Sequence, residues 1–541
     1  MANITQQRDP LAEAICAREA VLRSQRSNWE TLWQSVARYV MPREATFTEK
    51  VTEGHERNRW VLDSTGPRSN ELFASFLHTL MNNPGRQWFH LALVGQDKPS
   101  TPQAQWLEAT AAAALRRMVR AKIYEQLHQA FLHLGAFGTA VIYVEGAPSL
   151  SIRHFHLGDC VIDEGDSGDI DAMYRQLMRT PRQAIQRWGE ERVSKDLLDA
   201  AKAGRGEEKV RFLHAVFPMD EPALGALMPP EVRNLGAPFA SVWVDTRHRR
   251  TMSVGHYHEF PYMVPRWYQT NDELYGRSPA MSVLPSIRMA NRMLETILRG
   301  AEKLVDPPLL IPDGAMLSPV RLFPGGISFS DGLVTPQPLI PPGASRIEVG
   351  NALLEKTQAD VEKGFFVPLF VDIDEKVKTA TQVLQEADER NRAVSPMLMR
   401  QTVELYDPLI RRVFKVLERA GELPEPPADL RGELTVEYVS PLIASQRQIE
   451  GLSLARLFEG LAPWGGLDPG VFDHFDPDQV SLVMHAASGA PAKVLRDSLA
   501  VKRVRDARAK QQQNEAQLQQ LQVGADAGSK LMTAAAKGGP R

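Results

Sequence analysis

The sequence predicts an α+β fold that is predominantly helical. Three observations carry this. Long segments repeat apolar residues every three to four positions, shorter segments rich in β-branched and aromatic residues read as strands, and no regular strand–helix alternation builds a doubly wound parallel sheet. At 541 residues the chain has room for about three or four domains. Its 43% hydrophobic and 24% charged residues suit a folded protein with a sizeable core.

Taken in order, residues 11–40 read as one helix. Trp29, Leu32, Trp33, Val36 and Val40 recur at helical spacing and Pro42 ends the pattern. A second helix follows DSTGP, with Ser64 or Thr65 as its cap, Pro67 in its first turn, and Leu72, Phe73, Phe76, Leu77 and Leu80 on one face. NNPG at 82–85 stops it, and WFHLAL at 88–93 reads as a strand. Residues 102–136 are helical and Ala-rich. TAVIYVEG, VRFLHAVF, FASVWVD and TMSVGHYHEF are strand-like, and CVIDEGDSGDIDAMYRQL alternates around a DSGD turn as a β-hairpin.

From Pro279 the pattern changes. Residues 280–305 form a helix with an apolar stripe of Ile287, Ala290, Leu294, Ile297, Ala301 and Leu304. A charged stripe of Arg288, Arg292, Glu295, Arg299, Glu302 and Lys303 faces another way, with Glu295 and Arg299 in the favourable i,i+4 order. VDPP ends the helix hard, because proline lacks an N–H and clashes with the preceding turn. Residues 306–346 are rich in Pro and Gly but too apolar for a disordered linker, and predict a compact β and loop module. A shorter helix over about 349–365 follows. VPLFVDIDEKVKT breaks helicity before a run from 379 to about 420 that Pro396 and Pro408 should kink or divide. ELTVEYVSPL is a final strand, and the last hundred residues are helical and increasingly polar, with a small-residue tail expected to be disordered.

A net charge of −3 advertises no global nucleic-acid field. Two cysteines, Cys16 and Cys160, give no disulfide framework and suit a reducing compartment. The N-terminus has neither a cationic start nor an apolar run, and no stretch reaches the ~18 apolar residues of a membrane span. A secreted or membrane-spanning protein is therefore not expected. No GxSxG, GxxxxGK[ST] or HExxH occurs, so the chain is not itself a P-loop ATPase and shows no familiar hydrolase motif. His256 and His258 lie two apart on a strand but have no third ligand at useful spacing, and read as ordinary sheet histidines, as do His154 and His156. Asp163, Asp166, Asp169 and Asp171 lack the spacing and closing Glu of an EF-hand and read as a solvated turn. The basic stretch 493–510 reads as an exposed helix face. No cofactor or metal is called for.

Three blocks resemble the portal, or head-to-tail connector, proteins of short-tailed bacteriophages. They are RWVLDSTGPRSNELFASFLHTLMNNPGRQWFHL at 59–91, the run from FPYMVPRWYQ through YGRSP to LVDPPLL at 260–310, and the run from KTATQVLQEADERNR to ERAGELPEPP at 378–427, continuing into YVSPL. Ser278 stands where the family more often has glycine. The resemblance implies a subunit of a ring, usually dodecameric, around a DNA channel. Residues 1–278 would form a mixed α/β wing, 279–305 and 348–366 two stem helices, and 306–347 a β-containing clip. Residues 367–378 would form a channel loop, 379–440 a kinked wing helix and strand, and 441–541 a helical crown and tail.

The residues singled out on that basis are Ile287, Leu294, Ile297 and Leu304 for stem packing and Pro307, Pro308, Phe323 and Phe329 for the clip. Asp372, Asp374, Lys376 and Lys378 are singled out for the channel loop. The implied role is non-enzymatic. It covers nucleation of procapsid assembly at one vertex, passage of duplex DNA without sequence readout during packaging and ejection, and docking of the large terminase subunit and then a tail adaptor. Contacts with the major capsid and scaffolding proteins are implied too, in the host cytoplasm during assembly and then in the virion, with no membrane involved. The rival expectations are a metal-dependent hydrolase using His256, His258 and nearby carboxylates, and a minor capsid or scaffold protein that makes no channel.

Overall fold

The computed structural model describes residues 9–49, 51–52, 54–85, 87–93, 100–146, 149–203, 206–307, 309–310, 337–338, 347–370, 395–427, 436–439, 441–465, 469–488, 494–496, 500–515 and 517. They divide between two compact units, Met1–Arg86 with Arg117–Val416, and Gln87–Arg116 with Leu417–Arg541.

In the first unit, β4 (Cys160–Glu164), β5 (Ile170–Arg179), β6 (Val210–Pro218), β7 (Phe239–Asp245) and β8 (Arg250–Tyr257) form an antiparallel meander in chain order. The DSGD hairpin falls where the alternation predicts it, with Gly168 supplying φ +79° in the turn. One sheet face packs Tyr174, Leu213, Phe217 and Val242 against Ile15 and Leu22 of α1 (Pro10–Gln25). The other packs Phe212, Trp243 and Met252 against Ala184, Val193 and Leu197, from α6 (Pro181–Trp188), α7 (Lys195–Lys202) and the segment joining them. Thr180 and Gln183 close a capping box on α6: Gln183 N–H donates to Thr180 Oγ1 (3.3 Å) and Thr180 N–H to Gln183 Oε1 (3.2 Å).

Two predicted helices are divided. Residues 11–40 form α1 and α2 (Ser27–Val40), broken at Arg26. The Arg26 side chain is buried and donates to the carbonyls of Leu157 (3.3 Å), Gly158 (2.7 Å) and Cys160, and to Glu30 (2.9 Å). Apolar spacing continues through the break because it carries no record of a buried guanidinium with distant partners. Residues 102–136 likewise form α4 (Thr101–Arg120) and α5 (Ile123–Phe137), separated at Lys122, which is left-handed (φ +61°). The helix after DSTGP is α3 (Thr65–Met81), but neither Ser64 nor Thr65 caps it with a side chain; Asp63 Oδ1 accepts the Thr65 N–H at 2.7 Å.

A second sheet sets β2 (Val141–Glu145) between β3 (Ser151–Phe155) and β9 (Tyr262–Met263). The chain enters it through Gly138 (φ +73°), where a Cβ would collide with the Gly276 carbonyl oxygen.

In the second unit, β1 (His90–Leu93) pairs antiparallel with β12 (Val436–Val439), joining the strands predicted at 88–93 and 433–442. Trp106 Nε1 donates to Pro424 O at 3.0 Å. Phe458 of α14 (Pro441–Gly465) packs on Phe472 and Phe475 in the segment before α15 (Pro477–Ser488), Gly451 of α14 closes on Ala487 of α15, and Arg505, in a helical run over 500–515, pairs with Asp478 at 2.5 Å.

Candidate functional site

The helix predicted over 280–305 is α9, Pro279–Val305, about 40 Å long at 1.5 Å per residue. Its start is fixed by Ser278, which is fully buried. The Ser278 hydroxyl accepts from Met281 N–H (3.0 Å) and donates to Ala136 O (2.8 Å), two bonds a glycine in its place would forgo. Its end is set by Asp306, whose N–H reaches Glu302 O (2.8 Å) before half-buried Pro307.

Helix α10 (Ile347–Gly364) returns antiparallel along α9. A Cβ on Gly350 would stand 3.4 Å from Ile297 Cγ1, and one on Gly364 would overlap Val283 Cγ1 outright. The second approach is too close for any side chain. Both contacts share one register, which sets Leu298 level with Val349 and Leu294 level with Leu353. Leu354, Thr357 and Val361 form the buried stripe of α10, and Phe365 follows one turn on. One polar network pins the pair to the start of α3. Asn291 Oδ1 accepts the amides of Leu62 (2.8 Å) and Asp63 (3.1 Å), and Gln358 Nε2 donates to Asp63 Oδ2 (2.6 Å). Asn291 was not singled out from sequence; the signal is a lone amide on an apolar stripe, one turn beyond Ile287.

Burial along the pair is graded. Ile287 (2% exposed) and Ala290 (1%) are inside, and Leu294 and Ile297 are half-buried. Leu304 is 38% exposed, so within one protomer the expected stem packing stops short of that residue. Leu298, Val305, Val349 and Leu353 are also exposed, Val349 at 67%. The exposed side chains of Glu295 and Arg299 pair at 2.5 Å.

Between the helices, β10 (Leu309–Leu310) pairs antiparallel with β11 (Gln337–Pro338). Pro308, Phe323 and Phe329 lie outside the described residues, as do Asp372, Asp374, Lys376 and Lys378. Val367–Phe370, expected as the start of a loop, is a helical turn (α11) with Val367 buried.

Of the helix expected over 379–420, residues 395–401 (α12) are helical, and Pro396 falls within that run. Thr402–Tyr406 is a π turn, and Asp407–Arg419 (α13) completes the run. Asp407 N–H bonds Thr402 O, five residues back. Pro408 follows at once; in a regular α-helix its ring would clash with the Glu404 carbonyl, and the wider turn avoids that. Glu404 in turn accepts from Arg266 N–H (2.7 Å) and Nη2 (3.0 Å).

The remaining candidates are structural in their contacts. His256 and His258 stack edge to face (5.4 Å), and among the described residues no three His, Cys, Asp or Glu side chains converge as a metal site. His156 accepts from Gly158 N–H (3.0 Å), while burial and the neighbouring His156 push His154 down to about 3. Asp163 pairs with Arg18 (2.5 Å) and Asp169 accepts from Ser167 Oγ (3.1 Å). Burial pushes the free thiols up, Cys16 to about 11 and Cys160 to about 12. Among the described residues no helix is long and apolar enough to cross a membrane.

The described residues thus combine antiparallel sheets with a long helix pair whose apolar stripe is buried at one end and exposed at the other. Residues 12–495 match the bacteriophage head to tail connecting protein family, and the chain belongs to that family. It is 27% identical over 529 residues to the probable portal protein of Bordetella phage BPP-1, covering 96% of this chain and 94% of the relative. It is 26% identical over 517 residues to the portal protein of Salmonella phage epsilon15, covering 93% and 92%. A chain in the virion of a native gene transfer agent particle superposes loosely, at TM-score 0.34 and 13% identity, over 78% of this chain and 89% of that one.

Proposed function

We propose that the chain is the portal subunit of a short-tailed phage. Copies close into a dodecameric ring at one capsid vertex, duplex DNA enters and leaves through the centre, and no bond chemistry is performed by the subunit itself. The observation that carries this reading is the graded burial of the α9–α10 pair. Its deep end is packed within the protomer, while Leu298, Leu304, Val305, Val349 and Leu353 offer apolar surface that a neighbouring copy would cover.

Residues 306–347, with Pro307, Pro308, Phe323 and Phe329, form the clip that receives the large terminase subunit and later a tail adaptor. Residues 1–278 and 379–440 belong to the wing, and 441–541 to the crown and tail. The vertex is nucleated with scaffolding and major capsid proteins in the host cytoplasm. Asp372, Asp374, Lys376 and Lys378 face the duplex, where one or two lysines per subunit guide phosphates without the grip of a continuous basic lining.

End-on electron micrographs of purified protein should show an annulus with an open centre; monomers at every salt and concentration would contradict the reading. Lys376→Ala with Lys378→Ala should leave that annulus intact and reduce DNA retention severalfold in a packaging assay. Loss of the annulus would make those lysines structural.

A further inference from the structure

The net charge of −3 conceals a strong local separation. Strand β5 has ten residues and spans about 30 Å. Near its start, Asp171 and Glu221 both titrate high, from burial first and then from neighbouring carboxylates that include Asp163. At its other end Arg179 titrates low, from burial first and then from Arg187, Arg175 and Arg153. Register places Arg153 opposite Tyr143, on the sheet face that also carries Phe155, over whose ring the Arg175 guanidinium stacks at 3.7 Å.

Beside Arg153 lies an open cleft of about 510 Å³ between the α4–α5 turn and β3, lined by Arg120, Lys122, Gln126, Ser151, Arg153 and His154 among others, with no carboxylate in its lining. Arg120, Lys122 and Arg153 are exposed. Among the described residues these three and Arg179 form no ion pair; Arg187 reaches Glu145 only at 3.7 Å and lies over the Trp243 ring at 4.5 Å. A cation near the end of α4 complements that helix's dipole, which accounts for Arg120 alone. It gives no reason for Arg153 and Arg179 to gather beside it.

We propose that Arg120, Lys122, Arg153, Arg179 and Arg187 form a band that binds the backbone phosphates of duplex DNA, separate from the channel-loop lysines. An open band, with four cations exposed and Arg179 half-buried, suits a long polyanion better than a small anion, which needs converging donors in a closed site. Four of the five are arginines, whose fork matches phosphate oxygens in pairs. Choosing duplex DNA over another polyanion rests on the portal reading, but the test does not depend on a channel.

Full-length protein is mixed with a relaxed, covalently closed plasmid circle, which has no end to thread through a ring, and binding is followed by sedimentation from 50 to 200 mM salt. Wild type should retain the circle with a steep salt dependence. Arg120→Glu, Lys122→Glu and Arg153→Glu together should cut affinity at least tenfold and lower the slope of log K against log salt by about 2–3. Reversing three exposed cations off the band, Arg233, Arg247 and Arg250, should leave that slope unchanged, as should Lys376→Ala with Lys378→Ala. Wild type that ignores closed circles, a band variant that binds them normally, an off-band variant that loses the same slope, or polyglutamate competing as well as DNA at equal charge would each overturn the proposal. A ring that ignores circles would overturn this site and leave the portal reading standing.

Discussion

The five-stranded sheet and the α9–α10 pair treat their apolar surface in opposite ways. The sheet is closed on both faces by its own chain, with α1 on one side and α6 and α7 on the other, and Phe217, Phe212 and Val242 are fully buried. The helix pair closes only its deep end, and apolar exposure reaches 87% at Val305. A protein that left such a strip to water would lose the burial free energy, about 25 cal/mol per Å² of apolar surface, and gain a sticky edge. The sheet can therefore fold as a body in one protomer, whereas on the proposed reading the rod is finished by a neighbouring copy.

The sharpest way to break this contrast is Leu294→Asp with Ile297→Asp. Ile297 packs against Gly350 of α10, Leu294 lies one turn before it, and both are half-buried, so two carboxylates there should cost on the order of 3 kcal/mol or more and abolish assembly, read by sedimentation. The thermal transition of the sheet body should survive. Phe217→Ala should do the converse. A cavity in the sheet core should cost about 3–5 kcal/mol and lower the melting temperature, yet leave the assembled fraction unchanged below that temperature.

The smallest expected effect is on how α7 docks. His248 lies between Asp245 Oδ2 (2.8 Å), at the end of β7, and Asp196 Oδ2 (3.0 Å), in the first turn of α7. Burial pulls the ring's pKa down, but the two carboxylates outweigh it and raise it above its ordinary value. A raised pKa in the folded state stabilises fully below the unfolded value of about 6.5 and fades as pH rises through the folded one. Asp196 is largely exposed, so the contribution should be no more than about 1 kcal/mol. Denaturant titrations should find His248→Gln less stable than wild type at pH 6 and nearly equal to it at pH 9.

What the sequence could disclose follows from which forces act locally. Helix α9 was legible to within a residue because its stripe and its proline stop lie within the segment itself. The capping box at Thr180 and Gln183 is equally local, yet no helix was read there from the sequence. The break at Arg26 was not legible, because it depends on carbonyls more than 130 residues away. The pairing of β1 with β12 joins strands over 340 positions apart, and alternation names a strand without naming its partner. In the site itself, the apolar stripe announced that α9 needs a partner. It did not announce how far α10 would satisfy that need, nor the Asn291–Asp63–Gln358 network that fixes the deep end.

The central claim is that a neighbouring copy covers the unfinished strip. Maleimide labelling of Val349→Cys tests it most directly, since the native thiols titrate at about 11 and about 12 and stay protonated near neutral pH. The introduced thiol should react rapidly in monomers and at least tenfold more slowly in the assembled ring. Equal rates in the two states would mean the strip stays open to water on assembly, and would contradict the account.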